Sequence, residues 1–310
     1  MSKQKYKDDE VTIDNLREYA EQYSDYSFEL FVLKMLRDVG IKCEHGGVYT
    51  DPITNKTRQF DIRAKKTNGE YRVRLAIECK NIRSNFPILV LCSPRQPYES
   101  YHHIASVEDE KQKQYLTPSG IPLNHLDITR GRLRVYRISE EHSIYKPFDP
   151  VGKDSIQVGR QHDGRFASND NDLFDKWSQC LSSANDLIND MYWDGHDEKT
   201  HFFSTVIPIV VVPNGRLFAI EYDVDGNVQT QPHAAKRCSM YIDKQYTINT
   251  FPAFNKHFNI SHMEIMTIDG LDEFIKHYIL TEEGMSFIFS KAGLRARLAE
   301  IKMKIQNTNK

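Results

Sequence analysis

Two carboxylates and a lysine, Asp61, Glu78 and Lys80, are the residues of this 310-residue chain whose types and spacing point most directly to chemistry. They lie in Gln59-Phe60-Asp61-Ile62-Arg63 and Leu75-Ala76-Ile77-Glu78-Cys79-Lys80, on either side of Asn68-Gly69. That dipeptide is a hairpin signal. A two-residue turn there pairs Thr67 with Glu70 and sets Asp61 directly opposite Ala76. Side chains alternate along a strand, so Ala76, Glu78 and Lys80 share the face of Asp61. Asp61 and Glu78 are then diagonal neighbours, roughly 7–8 Å apart, a gap two carboxylates can close around one hard cation. Arg63, Lys65, Arg72 and Arg74 fall on or beside the same hairpin face. Acids that hold a metal, ringed by bases that hold phosphates, are what metal-assisted cleavage of a phosphodiester requires. Oxygen donors favour magnesium, or manganese, over zinc.

The elements that must position these groups are legible from periodicity. The reverse face of the hairpin, Phe60, Ile62, Ala64, Val73, Leu75, Ile77 and Cys79, is apolar and should pack on helices, which fixes which face is which. Residues 25–39 carry Phe28, Phe31, Val32, Met35, Leu36 and Val39 at helical spacing, closed by Gly40. Strand-like runs follow at 41–50, 58–66 and 71–80, then a short branched apolar run at 87–93. Between 94 and 170 the periodicity weakens, and we expect an insertion of loops and a small subdomain. Helical spacing returns at 172–193, strand patterns at 206–212 and 262–268, and helices at 271–278 and 282–305. The class is α/β. The expected organisation is a polar N-terminal leader (1–24), a first core part (25–93) with the hairpin at 58–80, the insertion (94–170), a second core part (171–280) and a basic C-terminal helix (281–310).

At this point the chain resembles the PD-(D/E)XK superfamily, the restriction-endonuclease-like nucleases. The resemblance rests on Asp61, on Glu78-Cys79-Lys80 at the end of the next strand, on the preceding helix with Glu29 and on the following buried strand. Phe60 stands where the name-giving proline would be. The resemblance implies a restriction-endonuclease-like α-β-β-β-α-β core, with Asp61, Glu78 and the main-chain carbonyl of Cys79 as magnesium ligands and Lys80 as the catalytic cation. Glu29 looks like the helical glutamate that some members add to the metal site. The implied function is a magnesium-dependent nuclease acting on DNA, in defence against foreign DNA or in repair, with Arg63, Arg72 and Arg74 on the phosphates. A second copy of the chain or a defence-system protein is the implied protein partner. The alternatives are a nucleic-acid-binding or scaffold protein that no longer cuts, and an RNA nuclease.

Other signals carry bland meanings. Gln179 points nearly opposite the apolar stripe of its helix and Lys176 flanks that stripe, and both are expected on a solvated face. Val151-Gly152-Lys153-Asp154 lacks the remainder of a P-loop, and His102-His103 lacks spaced partner ligands. The basic residues after Lys291 suit a helix C-terminus as well as they suit phosphates. Composition sets outer bounds. With 39% hydrophobic and 27% charged residues the chain belongs with globular proteins rather than disordered ones. The net charge of -2 gives no global field for polyanions, so any such site must be local. Five scattered cysteines suggest neither a disulfide framework nor structural zinc and fit a cytoplasmic location. No apolar run reaches the roughly 20 residues a membrane helix needs.

Overall fold

The computed structural model describes residues 9–51, 54–108, 132–168, 171–197, 202–248 and 256–290. In these segments the helices are α1 (Ile13–Gln22), α2 (Asp25–Asp38), α3 (Asn171–Asp197), α4 (Ile268–Phe274) and α5 (Glu282–Phe289), with a π-helical turn at Ile275–Ile279 after α4. The strands are β1 (Lys42–His45), β2 (Val48–Thr50), β3 (Thr57–Gln59), β4 (Ile62–Asn68), β5 (Tyr71–Cys79), β6 (Ile88–Pro94), β7 (Tyr101–Glu108) and β8 (Arg132–Ser139). They continue with β9 (Pro150–Arg160), β10 (Phe166–Ser168), β11 (Phe202–Val212), β12 (Leu217–Glu221), β13 (His233–Ala234), β14 (Arg237–Ile248) and β15 (Lys256–Thr267).

Alternation along β5 explains the layering. Val73, Leu75, Ile77 and Cys79 enter one core with Phe28, Val32 and Leu36 of α2, Leu271 of α4 and Ile288 of α5. Ala76 enters the other, under Cys180, Leu181, Ala184 and Ile188 of α3. β11 divides its side chains in the same way, Ile207, Ile209 and Val211 against Val206, Val210 and Val212. A sheet apolar on both faces must be covered on both. Helices α2, α4 and α5 form one cover and α3 the other.

Thirteen strands join in one mixed sheet, with β1-β4-β5-β11-β15-β14-β9-β6-β12-β13 as its path. β4 and β5 are antiparallel, while β11 runs parallel to β5. The insertion expected at 94–170 is corrected here. β9 lies inside the sheet between β14 and β6, and β7 pairs with β11 and β8. β6, the buried strand expected to follow the hairpin in the core, lies among β9 and β12, and the neighbour of β5 is β11. The leader also holds more structure than expected. α1 begins with a capping box between Thr12 and Asn15, yet buries no residue and leaves Ile13, Leu16 and Tyr19 exposed. The C-terminal helix is described only as α5, so Arg295, Arg297, Lys302, Lys304 and Lys310 lie outside the described residues. Among the described residues no helix is long and apolar enough to cross a membrane.

The hairpin register differs from the sequence expectation by two residues. Asn68 pairs with Tyr71, so the central turn residues are Gly69 and Glu70, and Gly69 supplies the positive φ of 57°. Arg63, not Asp61, lies opposite Ala76. A slip of two keeps every side chain on its expected face.

Candidate metal and phosphodiester site

Asp61 sits at a joint. β1 pairs with β4, and the two-stranded β2-β3 arm carries the same pairing outward beyond Gly46-Gly47 and Phe60-Asp61. The Phe60 ring lies so close to Gly47 that a Cβ there would stand 2.5 Å from its Cζ, so the bend needs glycine at that point. The Gly46 N–H donates to the Asp61 carbonyl and the Phe60 N–H to the Gly47 carbonyl, each at 3.0 Å. The terminal β4-β5 pair is Ile62 with Ile77, and one step further brings Asp61 level with Glu78. The corrected register therefore brings the two acids closer than diagonal neighbours.

The Asp61 carboxylate accepts a hydrogen bond from the Cys79 N–H through Oδ2 at 2.7 Å. Glu78 is 1% exposed, and its Oε1 is buried without a hydrogen-bond partner. Burial first, and the charge of Asp61 second, push the Glu78 carboxyl well above the ordinary range. The Cys79 thiol is fully buried on the opposite, apolar face.

The cation between the acids is Lys176 of α3. Its Nζ is 2.9 Å from Asp61 Oδ2 and 3.5 Å from Glu78 Oε2. Burial alone would disfavour the ammonium, but Asp61 and then Glu78 outweigh it and hold the group above the usual lysine range. Its expected place on a solvated face is thus corrected. A lysine flanking the buried stripe has enough stem to carry its charge around to the strand ends. Lys80, expected to converge with the two acids, turns to Asp25 at the start of α2, with Nζ 3.8 Å from Oδ2. Asp25 also accepts from the Asn81 N–H at 2.7 Å, so the first turn of α2 pins the chain leaving β5.

Glu29 faces the same place from α2. Its Oε2 is 3.2 Å from His45 Nε2, and both side chains are largely buried. Burial first, then the Asp61 charge, raise the Glu29 carboxyl above its ordinary value, against the opposing His45 hydrogen bond. A cleft of about 480 Å³ opens beside these groups, lined by Glu29, Asp61, Lys176, Tyr26, Arg58 and Gln179 among others. Gln179, also expected on a solvated face, is therefore a wall of the cleft.

The arginines expected on phosphates are largely covered. Arg63 is 9% exposed, donates to Ser183 Oγ at 3.2 Å and pairs with Asp186 at 2.8 Å, both on α3. Its guanidinium also lies over the Phe60 and Tyr49 rings, 4.2 and 4.9 Å from their centroids, and so fastens the arm to the sheet. Arg72 and Arg74 are 3% and 4% exposed, and Arg72 donates to Thr67 Oγ1. Docking of α3 turns the charged hairpin face into an interior. Among the described residues a cleft stays open at the joint, and a smaller pocket of about 100 Å³ stays open where Lys42, Arg63, Lys65 and Arg74 meet.

Among the described residues no three His, Cys, Asp or Glu side chains converge on one point as a preformed metal centre. The fit to a hard cation rests instead on two facing carboxylates and the orphaned Glu78 Oε1, an oxygen buried with no proton donor to satisfy it. No family model, no curated protein and no solved structure matches the chain.

Proposed function

We propose that this chain is a metal-dependent phosphodiester hydrolase, a nuclease acting on DNA. The observation that carries the proposal is the pairing of Asp61 with Glu78 at the end of β5, with one oxygen of Glu78 unsatisfied and Asp61 lining a cleft. The succession α2, β1, β4, β5, α3, β11, with these four strands adjacent in that order and α2 and α3 on opposite faces, supports a restriction-endonuclease-like α-β-β-β-α-β core.

Asp61 and Glu78 would hold magnesium or manganese, with the Cys79 carbonyl the third donor that the superfamily resemblance implies. A bound divalent cation supplies Lewis-acid polarisation of a phosphoryl oxygen. The chain's own groups do the remainder. Lys176 and, further out, Lys80 set positive charge where the phosphoryl group gains negative charge in the transition state. Glu29, its carboxyl raised by burial and oriented by His45, is the group we assign to take the proton of the attacking water at Oε1 or Oε2.

The rival, a core that binds nucleic acid without cutting, draws support from Lys176 already neutralising the acid pair. One experiment separates them. The purified full chain with magnesium is offered plasmid, linear duplex, single-stranded DNA and RNA side by side. Cleavage of DNA that Asp61→Ala removes supports the nuclease; binding with no cleavage of any substrate supports the rival; cleavage confined to RNA reassigns the substrate.

A further inference from the structure

We infer that Lys176 is the resident counter-ion of the acid pair, standing where a divalent cation binds and displaced by it into the adjoining cleft. The inference rests on the nuclease proposal and deepens it. Three side chains meet at this point with little water among them: Lys176 is 14% exposed, Asp61 12% and Glu78 1%. Its ammonium lies 2.9 Å from one carboxylate and 3.5 Å from the other. A magnesium ion bridging the same oxygens needs contacts of about 2.0–2.1 Å. An ammonium and a dication cannot share that space, because like charges at such separations repel strongly away from bulk water. Occupancy by lysine and by metal are therefore alternatives.

Two buried acids facing each other without compensation would be costly. The lysine offsets part of the repulsion between them and holds the pair in place, so the site is preorganised without its metal. It is an imperfect substitute, since the longer contact goes to the more buried carboxylate and Glu78 Oε1 gains no donor. A spherical dication with a flexible coordination shell can meet both acids.

The displaced ammonium has somewhere to go. Lys176 itself lines the cleft of about 480 Å³, and Glu29 lines it too. Glu29 already feels the lysine's charge, as the attraction between them eases the ionisation of that carboxyl. A swing about the lysine stem exchanges Asp61 and Glu78 for Glu29 or for an anionic substrate, and no charge is stranded. Metal binding thus delivers a cation to the place where a phosphate enters.

The test is manganese binding by calorimetry to the full-length wild type, Lys176→Gln, Lys176→Arg and Asp61→Asn, without substrate. Removing the competing charge should tighten binding by about tenfold or more in Lys176→Gln. Lys176→Arg should stay near wild type, and Asp61→Asn should lose binding. Thermal melting provides a second readout should Lys176→Gln fold poorly alone: its melting temperature should rise more on adding manganese than that of the wild type. Equal or weaker binding by Lys176→Gln, or an unfolded Lys176→Gln that manganese does not rescue, overturns the displacement. If the wild type still cleaves DNA with metal in that case, the nuclease proposal stands. If neither wild type nor Lys176→Gln binds manganese and nothing is cleaved, both fall.

Discussion

Glu78 and Glu264, two of the deeply buried glutamates that pair with cations, differ in completeness. Glu264 of β15 is 0% exposed, and both its oxygens are used. Arg237 donates to them at 2.7 and 3.0 Å, and Ser239 lies 3.0 and 2.9 Å away. Arg237 is also held over the Phe274 ring at 4.9 Å, and nearby Arg95 donates to His262, which stacks on Tyr145. Every charge there has a directional partner. Glu78 is about as deeply buried, yet one oxygen lacks a donor, its lysine is 3.5 Å away, and its partners Asp61 and Lys176 line a cleft. A saturated network specifies a fold; an unsaturated one at the end of a strand keeps capacity for a ligand.

The largest expected effect breaks the saturated network. Arg237→Met leaves the Glu264 carboxylate buried without its cation and should cost about 3–5 kcal/mol of stability in chemical denaturation. A loss under about 1 kcal/mol would remove the contrast. At the open site, Glu78→Gln should reduce cleavage by about 10²–10³-fold or more. Its unfolding free energy should stay within about 1 kcal/mol of wild type, since it relieves repulsion from Asp61 and leaves the Asp61-Lys176 pair. A strongly destabilised Glu78→Gln with normal cleavage would reverse the assignment of the two networks.

An intermediate effect comes from pH. His102 is buried, and that burial lowers its pKa to about 4; Nε2 donates to the Ile288 carbonyl at 2.7 Å. The folded state holds this imidazole neutral, whereas the unfolded chain takes up a proton near pH 6.5. Its contribution is intact above that pH and is lost as pH falls toward 4, amounting to about 2 kcal/mol by pH 5. Denaturation curves of wild type and His102→Gln at pH 7 and 5 should show the wild type losing the larger share. The smallest effect is at Lys80. Its contact with Asp25, at 3.8 Å and partly exposed, should make Lys80→Ala cost under about 0.5 kcal/mol in stability.

The comparison also shows which features the sequence carried. The faces of the hairpin were legible because alternation is a property of every residue in it, and a register slip of two does not disturb parity. The turn itself was not, since Asn68-Gly69 and Gly69-Glu70 are both chemically acceptable central pairs. Helix α2 was found almost to the residue because its apolar stripe faces a core. α1 was missed because it buries nothing, and only the Thr12-Asn15 capping pattern betrays it. Strands β7 and β9 escaped notice because their buried side chains mix polar with apolar, His102, Ser106, Ser155 and Gln157 beside Ile104 and Val151. Hydrophobic periodicity weakens where polar side chains share the core. Lys176 was discounted on its angle around α3; its reach along the side chain was the missing quantity, and no local pattern encodes which strand a helix will cover.

The separation along the chain of the groups that meet at the site has a kinetic meaning. Asp61 and Glu78 belong to one hairpin, but Lys176 lies 115 and 98 residues beyond them. Hairpins close in microseconds, whereas long closures wait on the entropy of the intervening chain. The two acids therefore come together well before the cation that neutralises them, and during folding they repel each other at the end of the strand that β11 must still join. Docking of α3 relieves this repulsion, and thus completes the charge site and covers the hairpin together.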